Sequence, residues 1–389
     1  MGRPLAITGI GAISAAGADA AALTAALASG RDGLACLALA DLPLAASLPV
    51  AAVRGMLPAG PRNAALALMA GREALRSAGL IQVPAQISAL GLAVGSCTGG
   101  MRESEAIYLR EGADSTSAVF RDQPVACLAD RVARTLGLRG PCVSHAEACA
   151  SSACALAEAM EWVRCGLVPA VLVVGSDALT RLTLAGFASL QVVDPAGCRP
   201  FTEERAGMSL GEGACAVVIE DAHHARQRGA RPRAALLGWG LTADAHHATA
   251  PHPSGQGLEQ AIRAALADSE VPVNSLGFVA AHGTGTRDND ACEATTLARI
   301  FGAIPTASTK RSTGHTMGAS AAFSLFAAIQ AVESQELFPS AGALLGTPLG
   351  GIEVLRSRRA ANIDTALITS LAFGGVNAAL VVGRAERCG

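Results

Sequence analysis

The chain has 389 residues, of which 51% are hydrophobic and 16% are charged, and its formal net charge is −2. This length allows one large or two medium domains with a buried core, and the composition excludes a disordered chain. The net charge is close to zero, so the chain lacks the excess of basic residues that is typical of nucleic-acid-binding proteins, and we expect no nucleic-acid partner.

Apolar, strand-like runs alternate with alanine-rich helical stretches along the sequence. The predicted strands are Leu5–Ile10, Leu90–Val94, Ala170–Gly175, Ala214–Ile219, Ala234–Leu236, Phe278–Ala281, Ala366–Thr369 and Ala378–Val382. The predicted helices are Ala64–Ala78, Ala150–Arg164, Gly257–Asp268 and Ala319–Glu333. Because the strands are continuously apolar and alternate with helices, they predict a layered α/β fold whose sheets are buried on both faces.

A short charged segment, Asp221–Arg233, divides the sequence into two halves of similar pattern. We therefore expect two units, residues 1–230 and residues 231–389. The longest candidate membrane segment, Gly314–Val332, contains histidine, glutamine and serine, so it predicts a buried helix and no membrane span. Residues 1–10 hold too short an apolar run for a signal peptide, and we predict a soluble, cytoplasmic protein.

Eleven cysteines are spread from Cys36 to Cys388 without a CxxC pair, which fits neither a zinc pattern nor a disulfide framework. One of them, Cys149, lies in a segment of very small residues that runs from a strand into a helix. The free N–H groups and the positive dipole end of a helix favour a thiolate at this position. From this segment alone, a buried inert cysteine and a reactive one are equally good interpretations.

Two glycine turns each contain a histidine. His282 directly follows a predicted strand, and Asp290 and Glu293 come eight and eleven residues later. His315 lies five residues after Lys310, the only lysine among 30 basic residues. Lysine is a compact point charge whose pKa shifts readily on burial, so its survival in an arginine-rich chain indicates a position that requires an ammonium. A cysteine with two histidines suits acyl transfer through a thioester.

The order of these motifs resembles that of the decarboxylating β-ketoacyl-[acyl-carrier-protein] synthases, the Cys-His-His condensing enzymes of the thiolase superfamily. The resemblance covers nearly the whole chain, and His315 stands where the acetyl-CoA-primed synthases of the superfamily carry asparagine. The segments that carry it are Ile7–Gly11, Gly95–Gly100, Arg199–Phe201, Gly211–Gly213, Cys142–Ala153, His282–Thr284, Ser308–Lys310, Gly314–His315 and Phe373–Asn377.

The resemblance implies a thiolase-like, layered αβαβα fold made of two similar halves, and it implies a role for each matched residue. Cys149 takes an acyl group from an acyl carrier protein, and His282 and His315 polarise the thioester carbonyl of malonyl-carrier protein as carbon dioxide leaves. The resulting enolate attacks the acyl group and extends it by two carbons. The backbone N–H groups of Cys149 and Phe373 form the oxyanion hole, and Phe373 with Gly374 gates the acyl pocket. No metal or organic cofactor is required.

We expect Lys310 to pair with Asp290 and Glu293 and to hold the two histidine turns in register. Breaking a buried pair of this kind costs about 3–5 kcal/mol. The field of the ammonium also disfavours imidazolium at His282 and His315, which keeps both rings neutral at pH 7.

Several positions depart from the fatty-acid type of synthase. Glu147, two residues before the nucleophile, stands where threonine is usual, and an ionised carboxylate there opposes thiolate formation unless it points away. Ala372 and Asn289 stand where glycine is common, and the segment between Gly100 and Pro124 is short. These departures, with the pair Ser151-Ser152, resemble the synthases of aryl polyene pathways.

Two alternative functions stay open from the sequence. Glu147 favours a chain-length-factor-like subunit that shapes the pocket of an active synthase, whereas the intact nucleophile and both histidines disfavour it. A thiolase that cleaves ketoacyl-CoA is disfavoured by the segment from Lys310 to His315.

The resemblance also implies two kinds of protein partner. Proteins of this kind are dimers across the strand near the nucleophile, and the second subunit is either an identical chain or a paralogous ketosynthase or chain-length-factor subunit. An acyl carrier protein is the other partner. Arg54 and Arg62 precede the predicted helix Ala64–Ala78, where relatives present basic residues, and we expect them to dock the carrier protein.

Overall fold

The computed structural model describes residues 5–388. Residues 1–4 and 389 belong to the two predicted units but lie outside the described residues. The first four residues of the segment considered as a signal peptide, residues 1–10, lie outside them as well. The strands are β1 Leu5–Ser14, β2 Gly91–Gly95, β3 Cys142–His145, β4 Ala170–Asp177, β5 Gly213–Asp221, β6 Ala234–Ala243, β7 Leu276–Ala280, β8 Pro305–Ala307, β9 Glu336–Leu337, β10 Glu353–Val354, β11 Arg359–Ala360, β12 Thr365–Leu371 and β13 Val376–Arg384. The α-helices are α1 Ala20–Ala28, α2 Arg62–Ser77, α3 Pro84–Ser88, α4 Met101–Glu111, α5 Val125–Leu136, α6 Ser151–Arg164, α7 Arg181–Ser189, α8 Ala222–Gln227, α9 Gln256–Ser269, α10 Arg287–Phe301, α11 Lys310–Thr313 and α12 Ser320–Ser334.

The strands of the two halves follow the same order. In the first half the order is β3-β2-β4-β5-β1, and in the second it is β8-β7-β12-β13-β6, with β10 added outside β8. Strands β1 and β6 pair antiparallel through Leu5–Ile7 and Ala234–Leu236, which joins both halves in one eleven-stranded sheet. The corresponding outer strands of the two five-strand orders, β3 and β8, precede the two segments that carry Cys149 and His315.

The helices lie in three layers around the strands of the two halves. Helix α2 packs on β1, β4 and β5, whereas α6 packs on the other side of the first half, against β2 and β4. Helix α12 packs on β7, β12 and β13, and α9 packs on β6 and β13. Because α6 and α12 also contact each other, they form the central layer of an αβαβα arrangement. The predicted thiolase-like fold class is confirmed.

Small residues allow the central helix α6 to approach the strands closely. A Cβ added at Gly95 at the end of β2 would lie 2.4 Å from the backbone nitrogen of Ser152. A Cβ at Gly175 would lie 2.9 Å from the Ser152 Cβ. Larger side chains at these positions would push α6 away from the sheet and displace the nucleophile at its start.

All eight predicted strands and all four predicted helices are present, with shifted ends. Strand β6 runs seven residues beyond the predicted end, and the charged break contains the short helix α8. The candidate membrane segment forms a turn followed by the buried helix α12. Within residues 5–388, no helix is both long and apolar enough to cross a membrane.

Candidate active site

Cys149 lies in a 3-10 turn, residues 148–150, directly before the first residue of α6. Its neighbour Ala148 has a φ of 48°, in the left-handed region that a residue with a side chain rarely adopts. Strain of this kind persists only where the surrounding structure fixes the backbone, and it is common at active sites. The turn aims the thiol into the interior, and Cys149 is only 5% exposed.

Burial, not the helix end, controls the charge of this thiol. Burial raises the pKa of Cys149 to about 11, although the nearby Lys310 ammonium and the backbone N–H groups of Phe373 and Cys149 itself lower it. The N–H groups at the start of the helix act in the expected direction, but burial outweighs them and the net pKa is raised. At pH 7 the group is a thiol, and it needs a base to become a nucleophile.

His315 is the nearest base to the thiol. Its Nε2 lies 3.1 Å from the Cys149 Sγ. The backbone around it is held on both sides, because the N–H of His315 donates to the Ser209 carbonyl at 2.7 Å and its carbonyl accepts from Gly211 N–H at 3.0 Å. The short contact gives the sulfur proton an acceptor within hydrogen-bond reach.

His282 follows β7 in a turn whose backbone binds two buried carboxylates. Glu293 accepts from the N–H groups of His282 and Gly283, both at 2.8 Å. Asp290 accepts from the N–H groups of Thr284 at 3.0 Å and Gly285 at 3.1 Å. The imidazole is thereby held 5.3 Å, centroid to centroid, from that of His315, with the two ring planes at 85°.

Both imidazoles are neutral. Burial, and after it the charge of Lys310, lowers the pKa of His282 and of His315 well below the usual value. The direction agrees with the expectation from the sequence, but burial is the larger cause. The Cys149 sulfur and one nitrogen of each ring lie within 4.8 Å of one another, so the three side chains face a common point.

Lys310 does not pair directly with Asp290 or Glu293, so that part of the expectation is wrong. Its Nζ donates to the carbonyl oxygen of His282 at 2.6 Å, and it forms no ion pair with either carboxylate. The reason is that both carboxylates already accept hydrogen bonds from backbone N–H groups of the 282–285 turn. The lysine binds the opposite side of the same turn, so it still links the two histidine segments.

The ammonium of Lys310 is only 1% exposed. Burial lowers its pKa to about 8, whereas the charges of Glu293 and, more weakly, Asp290 act in the opposite direction. Burial also raises the pKa of both carboxyl groups, which their N–H donors offset in part. The site therefore holds a cation whose charge changes near neutral pH.

Phe373 lies on one side of a cavity of about 380 Å³ that Cys149, His282 and His315 also line. Its ring packs against Phe187 of α7, with centroids 5.5 Å apart. The next residue, Gly374, is exposed, and its N–H donates to the Ala248 carbonyl at 2.8 Å. The predicted gate thus lies between the cavity and a surface loop. Besides the catalytic groups, the lining includes Val192, Met208, Asp244, Thr249, Thr284, Thr286, Arg287, Asn289, Leu371 and Asn377.

Glu147 faces away from the nucleophile. Its Oε1 lies 3.4 Å from the Nδ1 of His145, and its carboxylate is also close enough to Cys154 to raise the pKa of that thiol. Burial raises the pKa of Glu147, but the contact with His145 outweighs it and the net pKa is lowered. An ionised Glu147 therefore acts on Cys154 and is not among the main influences on Cys149.

The two predicted docking arginines differ in their environment. Arg54 is exposed, in a surface loop before α2. The guanidinium of Arg62 binds the buried carboxylate of Glu212, with Nε to Oε2 at 2.9 Å, and donates to the Val53 carbonyl at 2.8 Å. These bonds hold Nε and Nη2 of Arg62 in the fold, while its side chain stays 24% exposed, so carrier docking by Arg54 and Arg62 stays a prediction.

Sequence reasoning missed Asp177, a fully buried carboxylate that shapes the site. It accepts from the N–H groups of Cys97 and Thr98 at 3.0 and 2.8 Å and from Gly318 N–H at 2.7 Å. It therefore connects the glycine loop after β2 with the turn before α12. The signal was present in the sequence as a lone acidic residue at the end of strand β4, which is apolar from Ala170 to Gly175.

The sequence also matches two domain families. The β-ketoacyl synthase N-terminal domain matches residues 61–225, and the β-ketoacyl synthase C-terminal domain matches residues 233–343. The chain belongs to the β-ketoacyl synthase family. The protein is therefore a ketosynthase, an enzyme of the condensing class, and its candidate site contains Cys149, His282 and His315.

Individual relatives cover nearly the whole ketosynthase chain. Nodulation protein E of Rhizobium meliloti (strain 1021) is 33% identical over 400 residues, covering 98% of this chain and 99% of that protein. The 3-oxoacyl-[acyl-carrier-protein] synthase 2 of Staphylococcus aureus (strain COL) is 31% identical over 335 residues, covering 82% of this chain and 81% of that protein. Among solved structures, the ishigamide ketosynthase/chain length factor superposes with a TM-score of 0.91 at 27% identity, covering 99% of this chain and 100% of that one.

Proposed function

We propose that this ketosynthase catalyses a decarboxylative Claisen condensation. An acyl carrier protein delivers an acyl group to Cys149, and the carrier thiol leaves as the thioester forms on Sγ. Malonyl-carrier protein then loses carbon dioxide, and the resulting enolate carbon attacks the acyl carbonyl, which releases Cys149. The product is a β-ketoacyl chain that is two carbons longer. The observation that carries the proposal is a buried thiol with two neutral imidazoles converging on it in one cavity.

The geometry supports a role for each group in the first half-reaction. His315 Nε2, 3.1 Å from the sulfur, accepts the thiol proton as Sγ attacks the incoming thioester, and it returns the proton to the departing carrier thiolate, so the ring is neutral again. The backbone N–H groups of Cys149 and Phe373 both lie close enough to the sulfur to lower the pKa of the thiol. In the tetrahedral intermediate they stabilise the oxyanion, and one such donor is worth about 3 kcal/mol or somewhat more.

In the second half-reaction the neutral state of the imidazoles is essential. His282 and His315 each present an N–H to the malonyl thioester carbonyl, whose oxygen becomes negative as carbon dioxide leaves. Lys310 supports this step in two ways. It fixes the backbone of His282 through the 2.6 Å bond to its carbonyl, and its positive charge favours the enolate.

The intact triad supports a catalytic subunit over a chain-length-factor-like partner.

We propose that the chain forms a dimer through the edge strand β3, with an identical or paralogous subunit, and that Arg54 contributes to carrier-protein docking. The departures at Glu147, Ala372 and Asn289 support a polyene or other polyketide chain as the product over a housekeeping fatty acid.

The direct test is mass spectrometry of the Cys149 peptide after incubation with carrier proteins that hold different acyl groups. We expect a mass increase equal to one acyl group on Cys149 in the wild type and none in Cys149→Ser. The chain whose transfer is fastest identifies the substrate class. A wild type that acquires no acyl group alone, but promotes elongation when a partner synthase is added, would contradict the catalytic proposal and favour the chain-length-factor role. Labelling by a thiol-directed synthase inhibitor gives the same distinction.

A further inference from the structure

The three catalytic side chains also form a set of metal ligands. The Cys149 sulfur and one nitrogen each of His282 and His315 lie within 4.8 Å of one another, and all three residues are buried. Zinc binds sulfur at about 2.3 Å and imidazole nitrogen at about 2.0–2.1 Å, so in a tetrahedral site such ligand atoms lie roughly 3.3–3.7 Å apart. To reach this range, the 3.1 Å between Sγ and the His315 Nε2 would open slightly, and the wider separations in the group, up to 4.8 Å, would shorten.

The chemistry of the ligands fits a thiophilic divalent ion. A cysteine sulfur and imidazole nitrogens are the ligand types that zinc and similar ions take in proteins. The planes of the two rings are nearly perpendicular, at 85°, so the rings do not stack. Three protein ligands of the Cys/His type would leave one tetrahedral position open, and all three residues line the cavity that Phe373 also lines.

We propose that Cys149, His282 and His315 form a binding site for Zn²⁺ or another thiophilic divalent metal ion, and that this ion is a reversible inhibitor of the synthase. Binding forms a metal–sulfur bond, and the thiol proton is released to solvent. Because the metal and the acyl group occupy the same sulfur, the ion competes with the acyl donor. An acylated Cys149 has no thiolate to offer and does not bind the ion.

Lys310 limits the affinity of this site. Its ammonium donates to the carbonyl of His282 and acts on all three ligand residues, so it repels a divalent ion. The buried carboxylates Asp290 and Glu293 act in the opposite sense. We therefore expect weaker binding than at a structural zinc site. Replacing the ammonium with an uncharged chain of similar length, Lys310→Met, should strengthen metal binding.

Co²⁺ is the spectroscopic probe for the full-length chain after treatment with a chelator. We expect one equivalent to produce a sulfur-to-cobalt charge-transfer band and visible bands of a tetrahedral site, which Zn²⁺ then removes. Cys149→Ser should abolish the charge-transfer band, and His282→Ala and His315→Ala should each weaken Co²⁺ binding by about tenfold or more. His246→Ala, in an exposed loop outside the site, is the matched control and should keep the band.

Alkylation of the wild type provides a second measurement that does not depend on the folding of a variant. Zn²⁺ should protect Cys149 from iodoacetamide, and a chelator should restore its reaction, whereas the exposed Cys36 should react equally in both conditions. A charge-transfer band that persists in Cys149→Ser, or a Cys149 alkylation rate unaffected by Zn²⁺, would overturn the proposal. Neither readout uses synthase activity, so metal binding without acyl transfer would refute the proposed function alone.

Discussion

At the residue scale, the chain concentrates its unusual chemistry in a few buried positions. Cys149 is a thiol whose pKa is raised to about 11 by burial, and Lys310 is an ammonium whose pKa is lowered to about 8 by the same cause. Burial destabilises the charged form of each group. His282 and His315 are neutral. The Nε2 atom of His315 therefore can accept the proton of Cys149, and it lies within hydrogen-bond reach of the sulfur.

The first prediction concerns the only lysine. Lys310→Arg should lower the rate of malonyl-carrier decarboxylation by at least about tenfold, because a larger guanidinium in this fully packed position costs about 1–3 kcal/mol of strain and displaces the His282 turn. The measurement is carbon dioxide release from malonyl-carrier protein. Arg134→Lys, an exchange at an exposed residue, is the control and should leave the rate unchanged.

The pH dependence of the same variant gives a sharper test. In the wild type, raising the pH through about 8 removes the Lys310 charge, so decarboxylation should decline on the alkaline side with an apparent pKa near 8. Arginine keeps its charge to above pH 12, so the decline near pH 8 should be absent in Lys310→Arg. Decarboxylation at the wild-type rate, with an unchanged alkaline limb, would contradict the role of the ammonium.

At the element scale, the site consists of strand ends whose turns are held by buried carboxylates. Glu293 and Asp290 both lie on α10 and bind the backbone of the turn that follows β7. Asp177 at the end of β4 does the same for the loop after β2 and for the turn before α12. These bonds fix the histidine and cysteine turns relative to the sheet, which is why loops of small residues present the side chains with defined geometry.

The second prediction tests this arrangement. Glu293→Gln places an NH2 group close to the backbone N–H groups of His282 and Gly283. Because two donors cannot bond to each other, the variant loses one charge-assisted hydrogen bond to this turn. The free energy of unfolding should therefore fall by about 1.5–3 kcal/mol. Chemical denaturation measures the change. The control, Glu259→Gln, breaks exposed ion pairs and should cost less than about 1 kcal/mol. Equal losses in the two variants would show that the carboxylate does not brace the turn.

At the scale of the whole molecule, β3 is an edge strand. Its inner side pairs with β2, where the carbonyls of Pro141 and His145 accept from Leu92 and Ser96 N–H. Because backbone groups alternate along a strand, the N–H and C=O groups of Cys142 and Ser144 point outward. An edge with free donors and acceptors is a template for pairing with another chain. It lies only four residues before the nucleophile, so a subunit bound there is also close to the active site.

The third prediction follows from this edge. Ser144→Pro removes an outward N–H without breaking the inner ladder, so the chain should fold and elute as a monomer in light-scattering measurements. Ser144→Ala keeps the N–H and should remain a dimer. A Ser144→Pro protein with dimeric mass would show that association uses another surface. The division at residues 230/231, the cytoplasmic location and the carrier docking at Arg54 and Arg62 stay predictions.

The sequence by itself determined the alternating elements, the family and the residues of the triad. Apolar continuity and ordered motifs are local properties of the chain, so they can be read without coordinates. The halves of the fold, with matching strand orders, are consistent with the repeated pattern on either side of the charged break.

Only the tertiary structure decided how the side chains are used. Lys310 binds a carbonyl and not the two carboxylates, Arg62 is occupied by Glu212, Glu147 turns toward Cys154, and Cys149 is a thiol at rest. The physical reason is common to all four residues. The partner of a charged or titratable group, and its exclusion from water, depend on segments distant in the sequence, and these come together only when the sheets and the central helices pack.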